Sequence, residues 1–381
     1  MTKPVVLYDN LGPYHYARLH ALSEVWPDLV VLELRAQSTV YLWESPCGDR
    51  TWAKHTLAGK SEGPDSSLQS LRRRVGRVLD EERPDVIVTA GYRALEAQAA
   101  ARWAKAHQVP AIVMLESWKG SKRRWWLKER MKTWLVQVCY RAAFVGGWRQ
   151  WEYARSLGFP EARLWRGLGA VDNQHFTSGA EKARSLGSAA LQIAARPGSY
   201  FICVARLAPE KNLRRLLLAY KSYRKSGGQW GLLLAGDGPF RVELEQFVQQ
   251  QGIADCRFLG WVSYDQLPIY YGLAGALVLP SLTEPWGLVV NEALASGIPV
   301  LVSRQCGCVP ELCWDGINGY SFDPLDIDGL AKLMLRVSQL APADRATMGA
   351  AGQRIVSAFT PETWASALTD CIRTVLSQNQ S

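Results

Sequence analysis

Along most of the 381-residue chain, short apolar runs alternate with longer stretches in which apolar residues recur every three or four positions. The short runs suit strands buried on both faces and the longer period suits helices burying one stripe, so the alternation predicts α/β layers around parallel sheets. In the first half the spacing predicts strands at Pro4–Tyr8, Leu29–Leu34, Asp85–Thr89 and Ala111–Leu115, with helices over Tyr14–Val25, Ser67–Glu82 and Arg93–His107. A second series predicts strands at Tyr200–Ala205, Trp230–Ala235, Cys256–Phe258, Gly275–Leu279 and Pro299–Val302. Its helices are Leu213–Lys225, Phe240–Gln251, Gly287–Ala295 and Ile327–Gln339. Between the series, Asn173–Ser199 is rich in Gly, Ser and Ala and reads as a linker, with Glu181–Leu186 as a short helix within it. The reading is therefore two α/β domains, residues 1–177 and 195–360, a number that suits this length. A closing helix near Pro361–Leu376 caps the second domain or crosses back to the first.

Composition narrows the class without naming a function. A hydrophobic content of 48% and a charged content of 21% fit a globular protein rather than a disordered or fibrous one. No apolar run approaches the roughly 18 to 20 residues that span a bilayer. The opening MTKPVVLYDN lacks the apolar core and cleavage site of a secretory signal, which predicts a cytoplasmic protein. Eight scattered cysteines then read as reduced thiols. Lys+Arg 44 against Asp+Glu 35 gives a net charge of +9, which favours acidic partners: nucleotide-sugars, anionic membrane surfaces or nucleic acids.

Candidate chemistry concentrates between Pro280 and Asp323. The stretch TEPWGLVVNEALASG places Glu284 in a loop and Glu292 eight positions later, inside a helix that begins near Gly287. The N–H groups of Gly287, Leu288 and Val289 then stand at the positive end of that helix, a seat for phosphate oxygens. Glu292, about one turn further in, is placed to accept hydrogen bonds from sugar hydroxyls of a nucleotide. Upstream, Arg206 ends a strand and Lys211 stands beside a helix start, with Asn212 as its expected cap. Both cations then face the crevice where α/β sheets bind ligands, and there they neutralise a diphosphate and stabilise it as it leaves. In LLLAGDGPF, Gly236 and Gly238 follow a strand and permit close backbone approach, although such a turn is by itself more often structural.

The spaced glutamates and the segment VARLAPEKNLRRLLLAY resemble retaining, nucleotide-sugar-dependent glycosyltransferases of the GT-B fold, the large family 4 type (glycosyl transferases group 1). The resemblance is close from about Tyr200 to Pro324 and holds only in layout for the first domain. It implies two Rossmann-like domains facing across a cleft, with the closing helix, residues 361–381, packed back on the first. It implies a UDP-, GDP- or ADP-sugar donor in the second domain, no cofactor and no metal. Gly236 and Gly238 would support the donor-site wall, and the backbone at Val262 would meet the edge of the base, with Trp261 read as packing. The resemblance further implies reaction on one face of the sugar, with the leaving phosphate accepting the acceptor's proton. Glu284 would then contact sugar hydroxyls and steady positive charge rather than act as nucleophile. Cys306, Cys308 and Cys313 have metal-like spacing without a fourth ligand nearby, and read as packing.

On the acceptor side the sequence departs from the family. Relatives carry a Gly-Gly pair after the first strand, whereas this chain has Gly12 followed by Pro13, which weakens backbone contact with the donor. His15 is a candidate for orienting an acceptor hydroxyl, since its free pKa lies near neutrality, or a residue packing on its own helix. Where relatives place a histidine at the end of a first-domain strand, this chain offers Glu116, a candidate partner of a sugar hydroxyl.

Residues 119–134 are dense in cations and tryptophans. They read first as a solvated helix with its tryptophans in the core and next as a peripheral contact with an anionic membrane near a lipid-linked acceptor. Single-stranded nucleic acid is a distant third, and no nucleic-acid partner is expected. The expected function is transfer of a sugar from a nucleoside-diphosphate sugar to an acceptor hydroxyl in polysaccharide, glycolipid or glycoconjugate biosynthesis. The rivals are a non-catalytic sugar-nucleotide-binding subunit and a GT-B sugar-nucleotide epimerase.

Overall fold

The computed structural model describes residues 2–36, 50–58, 68–121, 125–187 and 198–379. It divides into two compact units, residues 1–171 with 359–381, and residues 172–358. The first unit holds a parallel seven-stranded sheet: β1 Pro4–Tyr8, β2 Val30–Arg35, β3 Ala53–Ala58, β4 Val86–Ala90, β5 Ala111–Leu115, β6 Ala142–Val145 and β7 Leu164–Arg166. Their order is β3-β2-β1-β4-β5-β6-β7. The second unit repeats the plan with β8 Tyr200–Val204, β9 Gly231–Ala235, β10 Cys256–Gly260, β11 Ala276–Leu279, β12 Val300–Ser303 and β13 Gly319–Phe322, ordered β10-β9-β8-β11-β12-β13.

Alternation along each central strand builds a core on both faces of the sheet. In β1, Val5 and Leu7 join a cluster with Ile87 and Val113, while Val6 and Tyr8 join another with Val88 and Met114. The closing helix Pro361–Asn379 belongs to this second cluster through Trp364, Leu368, Cys371, Ile372 and Val375, a helical stripe. Its Trp364 ring meets Phe144 with centroids 5.9 Å apart, and its Thr369 hydroxyl accepts a 3.0 Å hydrogen bond from the Trp26 indole. In each sheet the first strand lies between the second and the fourth. The loops leaving β1 and β4, and those leaving β8 and β11, therefore diverge around a crevice at the carboxyl ends, the usual ligand position in such sheets.

Two expectations need correction. Much of the stretch read as linker is the helix Asn173–Leu186. The Asp172 carboxylate accepts the His175 N–H at 3.0 Å, and Phe176, Ala180 and Ala183, four and three positions apart, are buried on one face. Capping and a periodic apolar stripe outweigh the high content of small residues; residues 188–197 lie outside the described residues. Secondly, the tryptophans of 119–134 do not enter the core. Trp125, Trp126 and Trp134 are 65%, 67% and 67% exposed, because the face of the helix Trp126–Cys139 that meets the sheet carries Val136 with Leu135 and Cys139 instead. Within that stretch, residues 122–124 lie outside the described residues. No helix among the described residues is long and apolar enough to cross a membrane.

Candidate active site

In the second unit, neighbouring strands deliver the two loops that matter. β8 pairs with β11, Ile202 opposite Leu277. The loop after β8 carries Arg206 and Lys211, and the loop after β11 runs through Ser281 and Glu284 to Gly287. The Leu282 N–H donates to the Glu210 carbonyl at 2.8 Å and ties one loop to the other. The Lys211 ammonium pairs with Glu284 Oε2, both side chains being mostly buried at 18% and 13% exposure, and the Ser281 hydroxyl reaches the same oxygen at 3.3 Å. Two residues 73 positions apart are thus one charged unit.

The cysteine loop fixes the backbone of Glu284. Its N–H donates to the Gln305 carbonyl at 3.3 Å, and its carbonyl accepts the Gly307 N–H at 3.0 Å. Cys306, Cys308 and Cys313 are buried and reduced, and burial pushes the Cys308 thiol well above its ordinary range.

Gly287 adopts φ +107°, and a Cβ there would lie 3.1 Å from Leu279 Cδ2 and 3.4 Å from Glu284 Cγ. Glycine is required both for the left-handed turn and for the room. The helix Leu288–Ala295 starts next to it, so Leu288 and Val289 supply N–H groups that have no carbonyl partner within a helix. Glu292 follows one turn on. It is 1% exposed, and the buried Tyr271 hydroxyl donates to its Oε2 at 2.8 Å. Trp286 is locked by donating its indole N–H to Asn291 Oδ1 at 2.9 Å.

Other donor-side candidates sit differently from expectation. Arg206 pairs with Glu210 at 2.6 Å. Burial acts to raise the Glu210 carboxyl, but a backbone N–H and Arg206 outweigh it and hold the group below the usual range. Asn212 occupies the cap position but does not cap. It is left-handed, and its amide donates to the carbonyls of Pro280 (3.1 Å) and Pro324 (2.8 Å), fastening two loops together. At Gly236 and Gly238 the space of a Cβ is filled by backbone, Ala205 O at 2.0 Å and Leu207 O at 2.6 Å. The two glycines thus serve the close approach of the Arg206 loop. Val262 is buried beside Trp261, whose ring is 37% exposed rather than packed away.

In the first unit, Gly12 caps the helix Pro13–Val25 and gives its N–H to His15 Nδ1 at 2.9 Å. This places the His15 proton on Nε2. Burial, then the charge of Arg18, lowers the His15 pKa to about 3, so the ring is neutral near pH 7 instead of poised to titrate there. Tyr8 lies against it with centroids 4.5 Å apart, and buried Arg18 donates to the Ala170 carbonyl. Glu116 follows β5, is exposed, and its charge reaches Tyr8. The first unit thus gathers Tyr8, His15, Arg18 and Glu116 at the carboxyl ends of β1 and β5.

Sequence reasoning missed Tyr271, Ser281, Glu210 and Arg18. Only Arg18 left a signal, as a lone cation on the apolar face of a helix.

Residues 194–354 match the family model described as glycosyl transferases group 1. A GDP-mannose-dependent alpha-(1-6)-phosphatidylinositol monomannoside mannosyltransferase of Mycolicibacterium smegmatis is 28% identical over 220 residues. That alignment covers 55% of this chain and 56% of the relative, so the chain spans about half the relative's length. Among solved structures, a sucrose-phosphate synthase from Thermosynechococcus elongatus has a TM-score of 0.75 at 18% identity, covering 99% of this chain and 100% of that one. HepE of Anabaena, solved in complex with UDP-glucose, has a TM-score of 0.74 at 17% identity over 98% and 100%. The chain therefore has the two-sheet fold of the GT-B glycosyltransferases, and its residues 194–354 are similar to the glycosyl transferases group 1 family.

Proposed function

We propose that this protein is a retaining glycosyltransferase that moves a sugar from a nucleoside-diphosphate sugar to an acceptor hydroxyl in polysaccharide, glycolipid or glycoconjugate biosynthesis. The observation that carries the reading is the Lys211–Glu284 pair beside the N-terminus of the helix Leu288–Ala295. A carboxylate, a cation and unpartnered N–H groups then stand within one loop of each other, which suits a sugar joined to a diphosphate. In this reading Lys211, Arg206 and the N–H groups of Gly287, Leu288 and Val289 hold the diphosphate, and Glu292 takes the ribose hydroxyls. Glu284 contacts the transferred sugar, and the leaving phosphate accepts the acceptor's proton. The second unit is the donor side and the first the acceptor side, with neutral His15 and Glu116 as the residues that orient the acceptor. The relatives whose names include GDP-mannose and UDP-glucose support a nucleotide-sugar donor of this kind.

The test screens UDP-, GDP- and ADP-sugars for thermal stabilisation, then follows release of the nucleoside diphosphate with wild type and Glu284→Gln. The reading expects one donor to raise Tm in both proteins, since a ligand of the folded state stabilises by mass action, and turnover only in wild type. Equal donor binding with no release by either protein under any acceptor would instead make the chain a binding subunit.

A further inference from the structure

We infer that the helix Trp126–Cys139 docks the first unit onto an anionic lipid bilayer. At 100° per residue, Trp126, Arg130, Trp134, Leu127 and Met131 fall on one arc of about 140°. The apolar members of that arc are 50–71% exposed, and Trp125 at the helix start adds a further 65% exposed ring. The opposite side, through Val136, Leu135 and Cys139, packs on the core of the first sheet. The helix thus has one apolar face inward and a second outward, and the outward one is far larger than scattered surface residues require.

Charge decides what covers it. Arg130 lies within the arc and Lys128 about 60° beyond its Met131 edge, near the helix start, both exposed. The helix has a single carboxylate, Glu129, about 60° beyond the Trp126 edge. It is half-buried and engaged, since Lys132 pairs with it at 2.5 Å and the Tyr153 hydroxyl donates to it at 2.7 Å. The outward face is therefore tryptophan, aliphatic and cationic, with no acidic side chain. Tryptophan prefers the headgroup boundary, and exposed cations are drawn to an anionic leaflet. A second copy of the chain fits poorly, because a two-fold contact sets Arg130 and Lys128 against their own counterparts with no carboxylate between them.

Flotation of the full chain with vesicles tests this without any nucleotide, so it is independent of the donor site. Vesicles of phosphatidylcholine alone are compared with phosphatidylcholine mixed with phosphatidylglycerol, at low and high salt. Wild type floats with the mixed vesicles at low salt, and salt releases it. Trp126→Ser/Met131→Ser/Trp134→Ser stays at the bottom. Lys128→Glu/Arg130→Glu loses partition by about fivefold or more per cation. All these positions are exposed, and an unchanged Tm verifies that the variants fold. The inference is overturned if wild type ignores both vesicles, binds both equally, or floats as well after the triple substitution. It is equally overturned if light scattering finds a dimer that the triple substitution dissolves while no vesicle binds.

Discussion

Lys211 and Glu284 form an ion pair between loops that leave adjacent strands of the second sheet, and each is largely shielded from water. Removing one partner strands the other charge. Lys211→Met is expected to lower stability by about 2 kcal/mol, below the cost of breaking a fully buried pair because some exposure remains. Adding Glu284→Gln to it restores most of that loss, while the sugar transfer proposed for this site stays abolished. Denaturant unfolding of the two single variants and the double variant measures the coupling, and turnover assays check the second half.

Gly287→Ala places a Cβ at φ +107° and 3.1 Å from Leu279 Cδ2. The expected cost is about 1–3 kcal/mol; if Leu288 and Val289 hold a diphosphate as proposed, nucleotide affinity falls as well because their N–H groups are re-aimed. Thermal unfolding with and without nucleoside diphosphate reads both effects.

Tyr271→Phe removes the donor to a buried carboxylate. A buried acceptor left without its partner costs about 1–3 kcal/mol. If Glu292 takes ribose hydroxyls, the variant also binds a nucleoside diphosphate about tenfold more weakly, by the size of one charged hydrogen bond. It binds the 2′,3′-dideoxy analogue as wild type does. Calorimetric titrations with both nucleotides supply the comparison.

His15 predicts a pH dependence. Its folded pKa, about 3, lies below the ordinary 6.5, so in this range the unfolded chain takes up a proton that the native ring refuses. Stability from this residue is complete above 6.5 and is lost as pH falls from 6.5 toward 3. His15→Gln flattens the difference in Tm between pH 7 and pH 4 relative to wild type, which paired melting curves at the two pH values measure.

The sequence displayed the fold where five-residue strands buried on both faces left apolar runs, as in β1, β4, β5, β8 and β9. It hid β3, whose AKHTLA carries Lys54 and His55 at a sheet edge, the three-residue β7, and the four-residue β6 and β13. Edge and short strands bury too little to leave a pattern. Within the site, Gly287 and the two glutamates were legible because their spacing is local. The pairing of Lys211 with Glu284 and of Tyr271 with Glu292 was not, because each joins separate strands or helices and nothing in a linear pattern marks the partner.

The account rests on a nucleoside diphosphate lodging in the second unit between Lys211 and the N-terminus of the helix Leu288–Ala295. Calorimetric titration of UDP, GDP and ADP into the full chain, beside Lys211→Met and Glu292→Gln, measures that directly. The expected result is saturable heat from at least one nucleotide, weakened at least about tenfold in each variant. No heat from any of the three, or heat that both substitutions leave unchanged, would contradict it.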